Sequence, residues 1–268
     1  MTTPFPLLRL PRLALIPIFK EMELIDVASQ RNNEPVELRF NTATVSSDET
    51  LKWLERVLDV IDFDSIKEVN LHGSPRRDDV CEALTALKAV RGLCIRSNCR
   101  SRFAKKALKI LTPVTSETVM LKIPFKNRKE LEIYMKSSTK SLTIFADRCS
   151  KFKYSIHAFL VSNSLRLKLE EWSLSARSIN QFLTKWLQNE HNSPLEHLSI
   201  NNDKSVNILH ILEGLDAVPF LEERTFHYSA QLDTPPETIY GGYDIRRMDG
   251  KKATITYDFY RLDFYVWP

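Results

Sequence analysis

Short apolar doublets recur through the middle of the chain. Val69 and Leu71, Leu93 and Ile95, and Leu198 and Ile200 are each split by one residue, the period-two pattern of a strand with one buried face. Leu38 and Phe40, Val119 and Leu121, Leu142 and Ile144, and Leu165 and Leu167 are weaker copies, so doublets return every 23 to 33 residues. Between them the period lengthens to that of helices. Ser46 stands three residues before Glu49, a capping-box spacing, and Leu51, Leu54, Leu58 and Ile61 form one apolar stripe. Ser175 is positioned to cap a second helix, with Ile179, Phe182, Leu183, Trp186 and Leu187 on its buried face and Pro194 beyond its end.

In three copies the doublet sits inside a longer spacing, L-x-x-L-x-L-x-x-N. Ile66, Val69, Leu71 and Ser74 form one, Val90, Leu93, Ile95 and Asn98 another, and Leu195, Leu198, Ile200 and Asp203 the third. That is the leucine-rich-repeat period with irregular insertions. Strand, helix and parallel strand require right-handed crossovers, so the expected fold is α/β, an irregular leucine-rich-repeat-like solenoid of parallel strands and helices.

In such strands the residues between and just after the doublets face the open side of the sheet. Those positions are Arg39, Asn70, His72, Arg96, Lys122, Arg166, Lys168 and Asn201, and they lean basic. A face of this kind suits an acidic protein partner, although a solvated face with no partner has the same pattern. Near the end, Tyr240 to Met248 and Lys251 to Tyr257 read as two strands joined at Asp249-Gly250, a two-residue hairpin turn. Leu262, Phe264 and Val266 then alternate with Asp263, Tyr265 and Trp267. A small antiparallel cap over about residues 238–268 is expected, its aromatic density offering an alternative reading as a binding surface.

The chain has 268 residues, of which 43% are hydrophobic and 27% charged, with six glycines. That excludes a disordered or low-complexity chain. The formal net charge of +4 falls short of the Lys/Arg excess of a dedicated nucleic-acid binder. The apolar run Leu13 to Phe19 is too short to span a bilayer and contains Pro17. Cys81, Cys94, Cys99 and Cys149 follow no disulfide framework, so reduced thiols in the cytosol or nucleus are expected.

No Gly-rich phosphate loop, nucleophile elbow or His-Glu-x-x-His helix is present, and no cofactor is expected. Cys94 and Cys99 with His191 and His197 lack the paired spacing of a zinc site, and core thiols and surface histidines account for them. Glu170 and Glu171 beside Trp172 would point to opposite sides of a strand and so leave no paired carboxylates. Arg100 to Lys106 is a basic cluster that includes Phe103, read as a solvated helix face in preference to a single-strand nucleic-acid groove.

Three segments resemble the F-box proteins expanded in Caenorhabditis-type nematodes. Phe5 to Met22, with Leu10-Pro11 and the helix-period run after it, resembles the first half of their F-box. Leu174 to Trp186 followed by Leu195 to Ile200 is similar to their type 2 F-box-associated domain, and Gly241 to Ile255 to that domain's terminal hairpin. Here Val27 to Gln30 passes directly to Arg31-Asn32-Asn33, without the later helices of the family's F-box. The resemblance therefore implies a partial F-box over 1–30 and an F-box-associated domain over 31–268. It implies a substrate-recognition adaptor of a Skp–cullin–F-box ubiquitin ligase, not an enzyme. Leu8, Leu10, Pro11, Leu15, Ile18, Phe19 and Met22 would contact a Skp-family subunit. The alternative is a protein-interaction module with no ligase attachment, its shortened F-box packing on the first repeat.

Overall fold

The computed structural model describes residues 25–28, 37–41, 66–72, 81, 84–122, 128–136, 139–146, 159, 161–190, 194–232 and 234–268. The chain divides into two compact units, residues 1–123 and 124–268. The opening segment through Met22, the helix expected from Ser46 to Ile61, and His191 lie outside the described residues. No helix among the described residues is long and apolar enough to cross a membrane.

The first unit holds strands β1 (Ile25–Ala28), β2 (Glu37–Asn41), β3 (Ile66–His72), β4 (Val90–Ile95) and β5 (Thr115–Leu121). β1 runs antiparallel to β2, and β2 to β5 are parallel in chain order. The doublets set the register. Leu38 and Phe40 lie opposite Val69 and Leu71, these opposite Leu93 and Ile95, and these opposite Val119 and Leu121. A one-residue slip would turn each doublet to the other face, so burial of Val69, Leu71, Leu93, Ile95, Val119 and Leu121 fixes the alignment from β3 to β5. The crossover from β4 to β5 is helix α1 (Ser101–Leu111), which buries Phe103, Ala104, Ala107, Leu108 and Leu111. Phe103 is thus core and Arg102 and Lys106 are exposed, the arrangement of a solvated helix face.

The second unit holds β6 (Ser141–Phe145), β7 (Arg166–Trp172), β8 (His197–Asn202), β9 (Val218–Phe226), β10 (Glu237–Arg246), β11 (Lys252–Asp258) and β12 (Arg261–Val266). Its helices are α2 (Arg128–Met135), α3 (Ala176–Leu187) and α4 (Ile208–Leu212). The strand order is β6-β7-β8-β12-β11-β10-β9, parallel from β6 to β8 and antiparallel beyond. In β7 the inward doublet is Leu167 and Leu169, aligned with Leu142 and Ile144 and with Leu198 and Ile200. It falls two residues later than the Leu165 and Leu167 read from the sequence, because Leu165 precedes the strand and its carbonyl accepts from the amides of Glu196 and His197.

Helix α3 forms as its sequence dictates. The Ser175 hydroxyl accepts from the Ser178 amide at 3.2 Å, and Ile179, Phe182, Leu183 and Trp186 are buried. Phe264 of β12 meets Phe182 and Trp186 edge-on, at 6.1 and 5.0 Å between ring centres. β12 bonds directly to β8, so the C-terminal strands extend the sheet and do not form a separate cap. The hairpin between β10 and β11 is also longer than read. The Arg247 amide donates to the Lys251 carbonyl and the Gly250 amide to the Arg247 carbonyl, leaving Met248, Asp249 and Gly250 as a three-residue loop. Gly250, at φ 90°, takes the left-handed position that such loops need.

A side-chain bond repeats at a fixed separation in both units. The Cys99 thiol donates to the Leu71 carbonyl at 3.2 Å, and the Trp172 indole donates to the Ile144 carbonyl at 3.0 Å. Asn202 both accepts from the Leu174 amide at 3.0 Å and donates to its carbonyl at 2.8 Å. Each contact spans 28 residues. These residues satisfy backbone groups where the chain leaves the preceding strand. Cys99 and Asn202 stand one residue from Asn98 and Asp203, the positions of the sequence spacing, which are exposed. Ser74 lies outside the described residues.

Candidate functional site

In the second unit, strand alternation separates two chemistries. Leu167, Leu169, Leu198, Ile200, Leu262 and Phe264 are buried on one side. The residues between them form two cross-strand rows, Arg166, His197 and Tyr265, and Lys168, Ser199 and Asp263; beyond them Arg261 pairs with Asn201, whose side chain bonds to Glu170. This polar lattice is the best candidate site of the molecule.

His197 lies at its centre, with no exposed side-chain surface. Its Nε2 is 2.9 Å from Asp263 Oδ1 and its Nδ1 is 2.7 Å from the Tyr228 hydroxyl. Its ring stacks on Tyr265 at 4.4 Å. The expectation of a surface histidine is corrected here: antiparallel pairing with β12 and the aromatics after β9 enclose the ring. Burial pushes the His197 pKa below its usual 6.5, against the opposing pull of Asp263.

Glu237 gathers the network at its upper end. It accepts from Arg166 at 2.8 Å and from the hydroxyls of Tyr228 and Tyr265, both at 2.7 Å. Burial works to raise its pKa, and these phenols together with nearby positive charge outweigh it and hold the carboxyl below the ordinary range. Asp263 is held low in the same way, burial being outweighed by His197 and by Arg261, whose Nε lies 2.7 Å away. Both tyrosine hydroxyls are pushed up, chiefly by burial. Phe226, Phe220 and Ile239 pack beneath Tyr265, so the network rests on a small apolar core.

Lys168 differs from its neighbours. Its pKa is lowered first by burial and then by the positive charges of Arg166 and Arg261. It forms no hydrogen bond or ion pair with the described residues. Asn201 is exposed and donates to Glu170 at 3.0 Å. Glu171 sits at φ 59°, where the register of β7 shifts, and Trp172 is buried beside it.

The other basic-face candidates belong to the first unit. Arg39 pairs in register with Asn70, and Asn70 with Cys94. Asn70 and Cys94 are 3% and 2% exposed, so this part of the face is not the solvated polar surface that the alternation suggested. Arg96 is exposed and Lys122 half-buried, while the side chains of Arg39 and His72 lie outside the described residues. Leu8, Leu10, Pro11, Leu15, Ile18, Phe19 and Met22 lie outside them as well. Cys81, Cys94 and Cys99 are buried free thiols, and burial raises the Cys99 pKa to about 11. Among the described residues no group of His, Cys, Asp and Glu is arranged to hold a metal ion. The terminal aromatics divide: Tyr265 is buried and Trp267 partly so, whereas Tyr240, Phe259 and Tyr260 are exposed.

Sequence reasoning found Arg166, Lys168 and Asn201 but missed His197, Tyr228, Glu237, Arg261, Asp263 and Tyr265. The alternation of Asp263 and Tyr265 with Leu262 and Phe264 was the available signal. What it lacked was the pairing of β12 with β8, a contact between distant segments.

Residues 122–200 match the model of a family described as F-box associated. The matched stretch contains α2, β6, β7 and α3 and ends within β8, so it includes Arg166, Lys168, His197 and Ser199. No curated protein and no solved structure matches the chain.

Proposed function

We propose that this chain is a non-catalytic protein-binding adaptor, the substrate-recognition subunit of a Skp–cullin–F-box ubiquitin ligase acting in the cytosol or nucleus. The observation that carries this reading is the F-box associated match over residues 122–200. The opening segment, through Leu8, Leu10, Pro11, Leu15, Ile18, Phe19 and Met22, recruits a Skp-family subunit. The domain over residues 31–268, a leucine-rich-repeat-like scaffold, holds the protein to be modified.

An adaptor of this kind needs no reactive side chain. It raises the effective concentration of substrate near the conjugating machinery, to the order of millimolar for short linkers. The polar lattice agrees with that role. Its carboxylates are occupied by arginines, a histidine, phenols and an asparagine, so none is left paired with a second carboxylate for acid/base work.

The test is direct capture of a purified Skp-family subunit by the purified full chain and by a variant lacking residues 1–30. Capture by the full chain alone supports the adaptor. Capture by neither leaves the alternative reading, an interaction module without ligase attachment.

A further inference from the structure

Lys168 stands in the middle of a row of donors. Its in-register neighbours on the same face are Thr143 of β6 and Ser199 of β8. Adjacent strands lie about 4.8 Å apart, so the two hydroxyls flank the lysine stem on either side. Thr143 and Ser199 are 6% and 5% exposed, yet neither hydroxyl bonds to a described residue. Arg166, two residues before Lys168 on the same face, has its Nε enclosed without an acceptor among the described residues. One ammonium and two hydroxyls, which can donate or accept, thus lie side by side on one face of the sheet, next to the guanidinium of Arg166.

The nearest carboxylates do not fill that need. Asp263, next in the row, is bound by His197 and Arg261. Glu237 is taken by Arg166 and two phenols, and Glu170 accepts from Asn201. The strongest charges acting on Lys168 are those of Arg166 and Arg261, both positive. A buried polar group without a partner is costly, and an incoming carboxylate would satisfy several donors in one contact.

We propose that Lys168, with the hydroxyls of Thr143 and Ser199, seats an acidic side chain of a protein partner. This rests on the binding role proposed above for the carrier of the carboxylate, and adds which residues read it. Lys168 supplies charge, the hydroxyls supply direction, and Arg166, already anchored on Glu237, supplies positive potential with no cost of ordering.

The test measures binding of a fluorescein-labelled alternating Glu-Gly peptide, and of its Gln-Gly counterpart, to the purified full chain at low salt. The Glu-Gly peptide is expected to bind and the Gln-Gly peptide not. Lys168→Met is expected to weaken binding about ten-fold and Ser199→Ala less, while Lys106→Met, on helix α1 of the first unit, changes nothing. Lys168→Met removes a charge that sits among positive neighbours, so it is expected to fold, and Lys168→Glu provides a second variant that Arg166 and Arg261 would accommodate. Binding equal to the parent in both Lys168 variants, or no binding of either peptide, overturns the proposal. So does competition by inorganic phosphate with no peptide bound, which would mark a free-anion site only. Skp capture by the parent chain keeps the two readings apart: no peptide binding by the parent with Skp capture intact sinks only this inference, and peptide binding without Skp capture sinks only the adaptor.

Discussion

His197 Nε2 lies 2.9 Å from Asp263 Oδ1, joining the first residue of β8 to the third of β12 where the sheet changes from parallel to antiparallel. The two residues are 66 apart in sequence and both are buried. Removing one partner leaves the other buried and unpaired. His197→Ala and Asp263→Ala are each expected to destabilise the fold by about 3 kcal/mol. Urea denaturation of the two single variants and the double variant checks this. The double variant should cost less than the sum, with a coupling of about 1–2 kcal/mol.

The same network sets a pH dependence. The folded pKa of His197 lies below its unfolded value, so protons favour the unfolded chain once the pH falls below about 6.5. Glu237 and Asp263 are also held low when folded, and so, outside that network, is Asp244, which is bound by Lys252, Arg224 and Thr254; their contribution is present above the ordinary carboxylate range and is lost as pH falls through their folded values. All four act in one direction. Melting temperature is expected to be highest near neutrality and to fall as the pH drops from about 6.5, and His197→Ala should flatten the first part of that fall. A melting temperature that rises on acidification would contradict these assignments.

The contacts that reach back 28 residues make separate predictions. Asn202→Ala strands the amide and carbonyl of Leu174 and is expected to cost about 2 kcal/mol. Trp172→Phe keeps a ring beside Phe159 but loses the indole donor to Ile144, for about 1 kcal/mol plus a packing defect. Ser175→Ala, which removes only the cap of α3, is expected to cost about 1 kcal/mol. Chemical denaturation should rank them in that order, with Asn202→Ala the most severe.

Two glycines of the terminal hairpins differ in what they tolerate. A Cβ on Gly242 would lie 2.5 Å from the Ile255 carbonyl oxygen, at φ 145° and beside the irregular pairing of β9 with β10. Gly250 sits at φ 90° with open space around it. Gly242→Ala is therefore expected to disrupt the β10–β11 pairing and depress the melting temperature sharply. Gly250→Ala should cost only the backbone strain, about 1–2 kcal/mol.

How much of this was written in the sequence depends on the range of the contact that decides it. Ser175 and the stripe from Ile179 to Trp186 specify α3 locally, and the structure follows them. The doublets specify strands and their register because each one pairs with the next repeat. The reading failed where position was set by a distant partner. Leu165 has the right chemistry for a strand doublet, yet its carbonyl is claimed by residues more than thirty positions away and the strand starts later. Asn70 occupies an outward-facing position and is buried all the same, as is Cys94 beside it in the register. His197 reads as a surface histidine because nothing near it in sequence announces Asp263, Tyr228 or Tyr265. The lattice around Lys168 was half visible: alternation gave Arg166 and Lys168, and only the β8–β12 pairing adds Arg261 and Asp263.

The most direct measurement is affinity purification of the tagged full chain from cells, with and without residues 1–30, followed by mass spectrometry. The adaptor account predicts Skp-family and cullin subunits with the full chain, their loss on truncation, and retention of a common set of other proteins by both. Recovery of the same proteins by both forms, with no ligase subunit in either, would contradict it.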